Sequence, residues 1–346
     1  MSALPKSDLD YVLAHGRIDW ESFRAQRIFL TGGTGFFGSW LVETFLHANR
    51  ERSLGSSLTI LSRAPAAFME RRPHLSGVSG IDFVAGDIRD FVFPAGRFDV
   101  VIHAATEASQ KLNSESPLVM LDTVVAGTRR ALDFAVASRA GRFLLTSSGA
   151  VYGSQPSQMT HVPEEYAGGP NPLDPNSAYG EGKRLAEHIC GVYARQHGLT
   201  VLIARCFAFV GPHLPLDAHF AIGNFMRDAL QGGPIRVGGD GTPHRSYLYA
   251  ADLAAWLWTI LGRGTSLRPY NVGSDASVSI HDLARQICDI ALLPGEVQIA
   301  QPPSGKPPAR YVPAIDRARA ELGLEVEVDL HAAITRTLDW HRANRY

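Results

Sequence analysis

The stretch RIFLTGGTGFFG, Arg27–Gly38, decides the fold of this chain. Its first five residues have an apolar centre, Ile28–Leu30, and the length of a buried strand. A glycine-rich turn follows, and apolar residues at helical spacing then continue over positions 37–48. A glycine-rich turn between a strand and a helix is typical of a phosphate-binding turn, because the first N–H groups of the helix point at the ligand.

Each glycine of this turn has a separate physical task. Gly32 permits the tight turn, Gly35 lets the backbone approach a pyrophosphate, and Gly38 lets the helix pack close to the sheet. The alternative is a strand, turn and helix with a purely structural role. We interpret the turn as a dinucleotide cradle whose residues are Gly32, Thr34, Gly35, Phe36, Phe37 and Gly38.

Strands and helices alternate along the next part of the chain. Strands are predicted at 57–62, 81–85, 99–103, 142–147 and 200–205, and helices at 118–140 and 178–197. Such alternation predicts an α/β fold of the Rossmann type, a doubly wound parallel sheet of about seven strands with helices on both faces.

The regular alternation breaks after about Cys206, where Pro and Gly punctuate the chain. We expect three parts: an N-terminal helical arm over 1–25 that packs on the body, a dinucleotide-binding domain over 26–205, and a smaller C-terminal lobe over 206–346. The lobe is expected mainly to bind substrate, with some segments returning to the first domain. Further helices are predicted at 222–231, 250–261, 280–291 and 330–342, and a Pro-rich loop at 301–308.

The composition is that of a globular protein whose net charge is close to zero. The chain has 346 residues, 45% of them apolar, and a formal net charge of −1, so neither nucleic acid nor an anionic membrane is an expected partner. No apolar run approaches the ~20 residues that span a bilayer, and Met1–Asp8 lacks an apolar signal core. The three cysteines are far apart, which predicts packed thiols in the cytoplasm and no metal site.

The end of the second strand bears on the choice of cofactor. NAD sites usually place an acidic residue there to accept a hydrogen bond from the ribose 2′-OH. Here the position is Ser62, followed by Arg63. A guanidinium can pair with a 2′-phosphate and no carboxylate repels it, so we expect NADP in preference to NAD. The alternative is that Arg63 is merely solvated.

Later strand ends complete the expected cofactor site. Asp87 and Ile88 are expected beside the adenine, with the Asp87 carboxylate accepting from the adenine amino group. Ala104 and Ala105 are small enough for a cofactor to lie close to the backbone. His103 is expected to be a packed, hydrogen-bonded structural residue.

Tyr179 and Lys183 lie four residues apart on a predicted helix and therefore share a face. A neighbouring ammonium stabilises phenolate, so we expect Lys183 to lower the pKa of Tyr179 from near ~10 towards the working pH. Such a phenol can exchange a proton with a sugar hydroxyl or carbonyl during hydride transfer. Ser148, at a strand end, can hydrogen-bond the reacting oxygen, and Lys183 can also hold the nicotinamide ribose.

On these motifs the chain resembles the extended short-chain dehydrogenase/reductase family, in its nucleotide-sugar epimerase/dehydratase branch. The resemblance runs from Arg27 to about Leu324. Besides the glycine turn and the Tyr-x-x-x-Lys pair, it is carried by VIHAA at 101–105, TSSGAVYG at 146–153, RCFAFVGP at 205–212 and GDGTPHRSY at 239–247.

The resemblance implies the roles of particular residues. Ser148, Tyr179 and Lys183 would be the catalytic residues, and the substrate would be a nucleoside-diphosphate sugar. Arg245 would bind the substrate diphosphate, and Lys306 or Arg310 would be a second phosphate contact. Lys306 and Arg310 could equally be surface charges. The helices at 118–140 and 178–197 resemble the pair that forms the family's homodimer. The implied substrate-binding residues are Thr106, Ser148, Asn224, Phe225, Arg245, Lys306 and Arg310.

Two departures from the family reduce the number of reactions that we expect this chain to catalyse. The 4,6-dehydratases carry an acidic pair where this chain has Gly149-Ala150, and the decarboxylases' glutamate at the Ala150 position is absent as well. We therefore expect 4-epimerisation or reduction of a 4-ketosugar, and Ser62-Arg63 favours the reductase. The alternatives are a dehydratase or decarboxylase with altered acid/base residues, and a non-catalytic NADP-binding protein.

Overall fold

Ten α-helices and fourteen strands occur in the computed structural model, which describes residues 3–15, 17–106, 110–218, 220–293 and 297–344. The strands are β1 Arg27–Thr31, β2 Ser57–Ser62, β3 Ile81–Ala85, β4 Val100–His103, β5 Arg142–Ser148, β6 Thr200–Cys206, β7 Phe209–Val210, β8 Arg236–Val237, β9 His244–Arg245, β10 Leu248–Tyr249, β11 Pro269–Val272, β12 Val278–Ser279, β13 Gln298–Ile299 and β14 Arg310–Tyr311. The helices are α1 Lys6–Ala14, α2 Phe36–Glu51, α3 Pro65–Arg71, α4 Gln110–Glu115, α5 Pro117–Ala137, α6 Ala178–His197, α7 Ala221–Leu230, α8 Ala250–Arg263, α9 Ile280–Ile290 and α10 Leu330–Ala343.

Seven of the strands form one parallel sheet in the order β11-β6-β5-β4-β1-β2-β3. The chain order reverses between β1 and β4, which makes this the switch point where open α/β sheets bind ligands at the carboxyl ends of their strands. The predicted fold class, a doubly wound parallel sheet of the Rossmann type, is confirmed.

The alternation of side chains along β1 explains why helices cover both faces of the sheet. Ile28 and Leu30 pack on one side in the same apolar cluster as Trp40 of α2. Phe29 points the opposite way, and its ring centroid lies 4.4 Å from that of Phe134 on α5. A strand that is apolar on both faces is stable only between two layers of helices.

The seventh strand comes from the part of the chain that follows the regular alternation. β11 pairs in parallel with β6 at one edge of the sheet, and the buried helix α8 precedes it. The sequence did not predict this strand, because it has four residues and begins with Pro269. A proline is compatible with the first position of an edge strand, where no ladder hydrogen bond is needed from its nitrogen.

Predicted and observed helix ends differ most, by three residues, at the C-termini of two helices. The helix predicted over 118–140 is α5, which ends at Ala137 because Arg139 takes a left-handed backbone conformation with φ of 58°. The helix predicted over 37–48 is α2, which runs on to Glu51.

The N-terminal arm is tied to the body by buried hydrogen bonds. Tyr249 Oη donates to Asp8 Oδ2 at 2.6 Å, and Tyr11 Oη donates to Asp252 Oδ1 at 2.5 Å. The backbone nitrogen of Leu4 donates to Glu43 Oε2 of α2 at 2.7 Å. The arm therefore joins α2 and α8 on one side of the sheet.

Gly38→Ala should destabilise the protein and weaken dinucleotide binding, because the added Cβ would lie 2.2 Å from the Gly32 carbonyl oxygen and 2.4 Å from Gly33 Cα. Overpacking against a rigid backbone costs about 1–3 kcal/mol or more. Thermal unfolding and cofactor titration measure both effects. The matched control is Gly191→Ala in α6, where no atom lies within 4 Å of the added Cβ and alanine is the better helix former. Equal melting temperatures for the two variants would contradict this account.

Candidate active site

The carboxyl ends of β1, β4 and β5 lie side by side, since these strands are neighbours in a parallel sheet. β5 ends at Ser148, and α6 begins with Ala178-Tyr179 and carries Lys183 in its second turn. The Tyr179 backbone nitrogen donates to Asn113 Oδ1 at 2.9 Å, which satisfies one unpaired N–H at the start of α6.

The glycine turn between β1 and α2 has the form of an anion cradle. Gly32 has a φ of 73°, and an added Cβ would lie 2.5 Å from the Ala104 carbonyl, so this position requires glycine. Gly35 caps α2 and is exposed, and a Cβ there would meet only the Gly32 carbonyl oxygen at 3.5 Å. The first N–H groups of α2 have no partner within the helix and face this open side, which fits a pyrophosphate.

The ends of β2 and β3 form the neighbouring part of the site. Ser62 is buried and its Oγ accepts from the backbone nitrogen of Ala64 at 3.2 Å, and the exposed Arg63 follows. The Asp87 carboxylate accepts from both the backbone nitrogen and the guanidinium of Arg89. These bonds, with a smaller contribution from Arg63, lower the pKa of Asp87, and its contact with the adenine amino group stays a prediction.

His103 is a structural residue, as predicted. Its Nδ1 lies 2.8 Å from Thr31 Oγ1 and its Nε2 lies 3.2 Å from Thr128 Oγ1. Burial, and then the charge of Lys183, lower its pKa to about 3, so the ring is neutral at physiological pH. Just beyond it, the backbone nitrogen of Ala105 donates to Thr31 Oγ1 at 3.1 Å, which fixes the small residues after β4 beside the glycine turn.

Lys183 joins three elements of the site. Its Nζ donates to Thr106 Oγ1, after β4, at 2.7 Å and to the Thr146 carbonyl oxygen of β5 at 2.8 Å. The side chain is buried, and burial lowers the pKa of the ammonium to about 8. Lys183 therefore holds the start of α6 against the ends of two strands.

Ser148 lies near enough to the Tyr179 phenol to affect its pKa, so the two hydroxyls predicted to act together are neighbours. The predicted fall in the pKa of Tyr179 does not occur: burial raises it to about 12, and the nearby Ser148 hydroxyl lowers it only partly. The reason is geometric, because Lys183 Nζ is committed to Thr106 and Thr146 and lies 5.9 Å from the centre of the Tyr179 ring.

Burial raises the pKa of a second phenol, the half-buried Tyr311 of β14, and the nearby Ser148 hydroxyl lowers it in part. The family resemblance pointed only to its neighbour Arg310, as a phosphate contact, and a strand of two residues has no detectable period that would indicate Tyr311. The only signal in the sequence was indirect: a glycine at position 149 leaves space for another side chain.

The predicted substrate-binding residues lie in different surroundings. Arg245 lies on β9, where its Nη1 donates to the His244 carbonyl oxygen at 2.8 Å, and its charge acts on Tyr311. Arg310 pairs with His244 across the β9–β14 ladder, and Lys306 is exposed in the loop before β14. On α7, Asn224 Oδ1 accepts from Arg227 at 3.4 Å, and Phe225 is only 3% exposed within the apolar core.

A buried polar network behind the site was not predicted. Glu187, one turn after Lys183 on α6, accepts from Ser147 Oγ at 2.6 Å and makes two hydrogen bonds with Arg205. Arg205 also donates to Tyr152 Oη, which in turn donates to Asn271 Oδ1. The network fastens α6 to β5 and β6, while its members appear in the sequence as isolated polar residues.

Among the described residues, no cluster of three or more His, Cys, Asp or Glu side chains could hold a metal ion. Within the same residues, no helix has the combination of length and apolarity that crossing a membrane requires.

A doubly wound parallel sheet with a glycine cradle after β1, a serine ending β5 and a Tyr-x-x-x-Lys pair on α6 defines a short-chain dehydrogenase/reductase of the extended type. The family model for the NAD-dependent epimerase/dehydratase family matches residues 28–273. The chain belongs to this family.

Individual relatives agree with that assignment. UDP-glucuronic acid decarboxylase 1 of Xenopus tropicalis is 30% identical over 318 residues, which cover 92% of this chain and 72% of the relative. A dTDP-glucose 4,6-dehydratase of Streptomyces venezuelae, solved with NAD bound, is 26% identical with a TM-score of 0.78, covering 92% of this chain and 98% of that one. A UDP-glucose 4-epimerase of Thermus thermophilus, solved with NAD, is 25% identical with a TM-score of 0.75, covering 92% and 100%.

Tyr179→Phe should lower turnover by about two orders of magnitude, as expected for loss of a general acid/base, while dinucleotide binding is largely kept. Steady-state rates and cofactor titration measure the two effects. Tyr193→Phe is the matched control, since it removes an α6 hydroxyl that bonds Asp133 away from the site. Turnover of the Tyr179→Phe variant at the rate of the control would remove Tyr179 from the mechanism.

Proposed function

We propose that this protein is an NAD(P)-dependent enzyme that acts at C4 of a nucleoside-diphosphate sugar, by 4-epimerisation or by reduction of a 4-ketosugar. The observation that carries the proposal is the attachment of α6, through the buried Lys183, to the strand ends beside Ser148. Tyr179 is thereby placed near Ser148, and the next two positions, Gly149 and Ala150, have no acid. One proton-exchanging phenol suffices for hydride transfer at a carbinol carbon, whereas water elimination needs further acid/base groups.

The cradle fits a dinucleotide, and a bound nicotinamide coenzyme would supply hydride transfer. In this proposal Lys183 holds the nicotinamide ribose, Tyr179 exchanges a proton with the sugar oxygen, and Ser148 donates a hydrogen bond to that oxygen. The residues proposed to hold the coenzyme are Gly32, Thr34, Gly35, Phe36, Phe37, Gly38, Ser62, Arg63, Asp87, Ile88, Ala104, Ala105 and Lys183.

The substrate class rests on the relatives and on the cations of the C-terminal region. All three relatives described above are named for sugars joined to UDP or dTDP. Arg245 is the proposed diphosphate contact, since its charge reaches Tyr311 beside Ser148. We propose that 206–346 is mainly the substrate lobe, with Thr106, Asn224 and Phe225 lining the site and Lys306 or Arg310 as a second phosphate contact.

Decarboxylation is the second candidate, because the UDP-glucuronic acid decarboxylases are 30% identical over most of the chain. The position of their glutamate is occupied by Ala150, whose backbone nitrogen donates to Ser148. Nearby carboxylates are already engaged, since Glu187 binds Arg205 and Glu164 accepts from the Asn271 nitrogen. These contacts favour the epimerase or reductase.

A homodimer through α5 and α6 is part of the proposal. Three large apolar side chains of these helices are exposed: Leu118 is 75%, Val119 46% and Leu185 43% exposed. A cluster of exposed apolar residues on two packed helices is typical of an interface.

One assay of the purified protein distinguishes the candidate reactions. The protein is incubated separately with UDP-glucose, with UDP-glucuronic acid, and with dTDP-4-keto-6-deoxyglucose plus NADPH. Mass spectrometry identifies the products, and absorbance follows the reduced nicotinamide. An epimerase yields an isomer with no net change in cofactor, a reductase consumes NADPH in step with product, and a decarboxylase releases CO2. Release of CO2 from UDP-glucuronic acid would replace the main proposal, and tight NADPH binding without conversion would support a non-catalytic protein.

Arg63→Ala should weaken NADP binding much more than NAD binding, because only NADP carries the 2′-phosphate that the guanidinium would pair with. Dissociation constants for both cofactors measure the effect, with Arg97→Ala as the control. The Arg97 side chain is 70% exposed and pairs with Asp99 before β4, at the opposite end of the strands. An equal loss of affinity for NAD and NADP would contradict the proposed preference.

A further inference from the structure

The first turn of α6 has no cap from its own sequence. Ser177 is the residue before the helix, and its side chain makes no capping hydrogen bond. A serine at this position usually accepts from the backbone N–H two or three residues later, which here is that of Tyr179 or Gly180. The start of α6 therefore depends on a partner from another part of the chain.

Asn113 of α4, which lies 66 residues before Tyr179 in the chain, supplies that partner. Its Oδ1 accepts from the backbone nitrogen of Tyr179 at 2.9 Å, and its Nδ2 donates to the Asn176 carbonyl oxygen at 2.6 Å. An asparagine side chain has an acceptor and two donors, so it can make both bonds at once. The amide thereby holds the chain both before α6 begins and at the second helical residue.

Asn113 is itself held in place by its own helix. The neighbouring Leu112 packs on the apolar cluster that α5 and α6 form with the sheet, and Tyr179 packs on the same cluster. The Leu112 carbonyl oxygen accepts from the Ser116 nitrogen at 2.9 Å, where α4 passes into α5. The fold therefore determines where the Asn113 amide lies relative to α6.

The segment between β4 and α5 contacts both members of the Tyr-x-x-x-Lys pair. Thr106 accepts from Lys183 Nζ at 2.7 Å, and Asn113 accepts from the Tyr179 backbone. Lys183 is thus held by its side chain, whereas Tyr179 is held by its backbone nitrogen. The bond from Asn113 therefore fixes Tyr179 without using a hydrogen-bonding position of the phenol that is proposed to react.

We propose that Asn113 is a positioning residue of this enzyme: its amide caps α6 in place of Ser177 and fixes the backbone at Tyr179, from which the phenol extends to the sugar oxygen. The direction of a Cα–Cβ bond follows from the backbone of its own residue, so a frayed first turn would displace the phenol. This inference rests on the proposed function, in which Tyr179 exchanges a proton with that oxygen. It adds a residue that none of the sequence motifs contains.

Two neighbouring carboxylates have other partners. Asp174 accepts from the backbone nitrogen and the side-chain amide of Asn176, so it caps the short turn before α6. Glu181 lies in the first turn of α6, and its Oε2 is 3.8 Å from Arg184 Nε. A negative charge in the first turn stabilises the helix through its dipole, but it does not fix the backbone of one particular residue.

Asn113→Ala removes both hydrogen bonds and tests the proposal. We expect kcat to fall by about fivefold, the change that loss of one helix cap corresponds to, because the phenol is no longer held where it reacts. The KM for the sugar nucleotide and the dissociation constant for NADPH should stay within about twofold, since one helix cap accounts for the whole effect. Steady-state kinetics and cofactor titration measure these values, and an unchanged kcat would overturn the proposal.

Asn49→Ala is the matched control. Asn49 also joins two backbone groups, because its Oδ1 accepts from the Ser56 nitrogen and its Nδ2 donates to the Ser56 carbonyl oxygen, both at 3.0 Å. These bonds lie before β2, at the end of the sheet opposite the site. Thermal unfolding should show a loss of stability in both variants, while only Asn113→Ala loses turnover. An equal fall in kcat in the two variants would reduce Asn113 to a structural residue.

A conservative variant separates the cap from the rest of the side chain. Asn113→Asp keeps an acceptor for the Tyr179 N–H, and aspartate caps helices as well as asparagine does. Its kcat should therefore return to within about twofold of the wild-type value. An Asn113→Asp enzyme as slow as Asn113→Ala would contradict the proposed role.

Amide hydrogen exchange measures the cap without any substrate. In peptides that contain residue 179, exchange should be about fivefold faster in Asn113→Ala than in the wild type, and unchanged in Asn49→Ala. Unchanged exchange in Asn113→Ala would overturn the inference. If the wild type converts no sugar nucleotide, the proposed function fails independently of the exchange result. If the wild type is active and Asn113→Ala matches it in both turnover and exchange, only the inference fails.

Discussion

A single buried ammonium holds the site together. Lys183 Nζ bonds Thr106 after β4 and the Thr146 carbonyl of β5, while its backbone belongs to α6. Three elements that are separate in the chain are thereby fixed at one end of the sheet. Tyr179 lies one helical turn earlier, so the position of its phenol against Ser148 follows from the same attachment. Glu187, one turn later, adds a second attachment through Ser147 and Arg205.

Burial has opposite effects on the two titratable partners. It raises the pKa of Tyr179 to about 12 and lowers that of Lys183 to about 8, because in each case the charged form loses its hydration. An approach of the two charges would reverse both shifts, but the Lys183 bonds to Thr106 and Thr146 keep Nζ at 5.9 Å from the phenol ring. The Ser148 hydroxyl is therefore the neighbouring group that lowers the pKa of Tyr179.

The sequence was sufficient for the features that depend on local patterns. The alternation of apolar strands and amphipathic helices predicted the parallel sheet, and the Tyr179–Lys183 spacing predicted a shared face on α6. Other features could not be found that way. β11 is too short to show a period, and Tyr311 lies against Gly149 only because the distant segment β14 pairs with β9. Each of them lies in or beside a loop whose course the local sequence does not determine.

The central claim is that Tyr179 and Ser148 together engage one oxygen of a nucleotide sugar. A crystal structure of the complex with NADP+ and a nucleoside-diphosphate sugar tests it most directly. The account predicts Tyr179 Oη and Ser148 Oγ both within about 2.6–3.2 Å of the same sugar oxygen, the range required for proton exchange. A sugar bound in the cleft with both hydroxyls in contact only with protein atoms would contradict it.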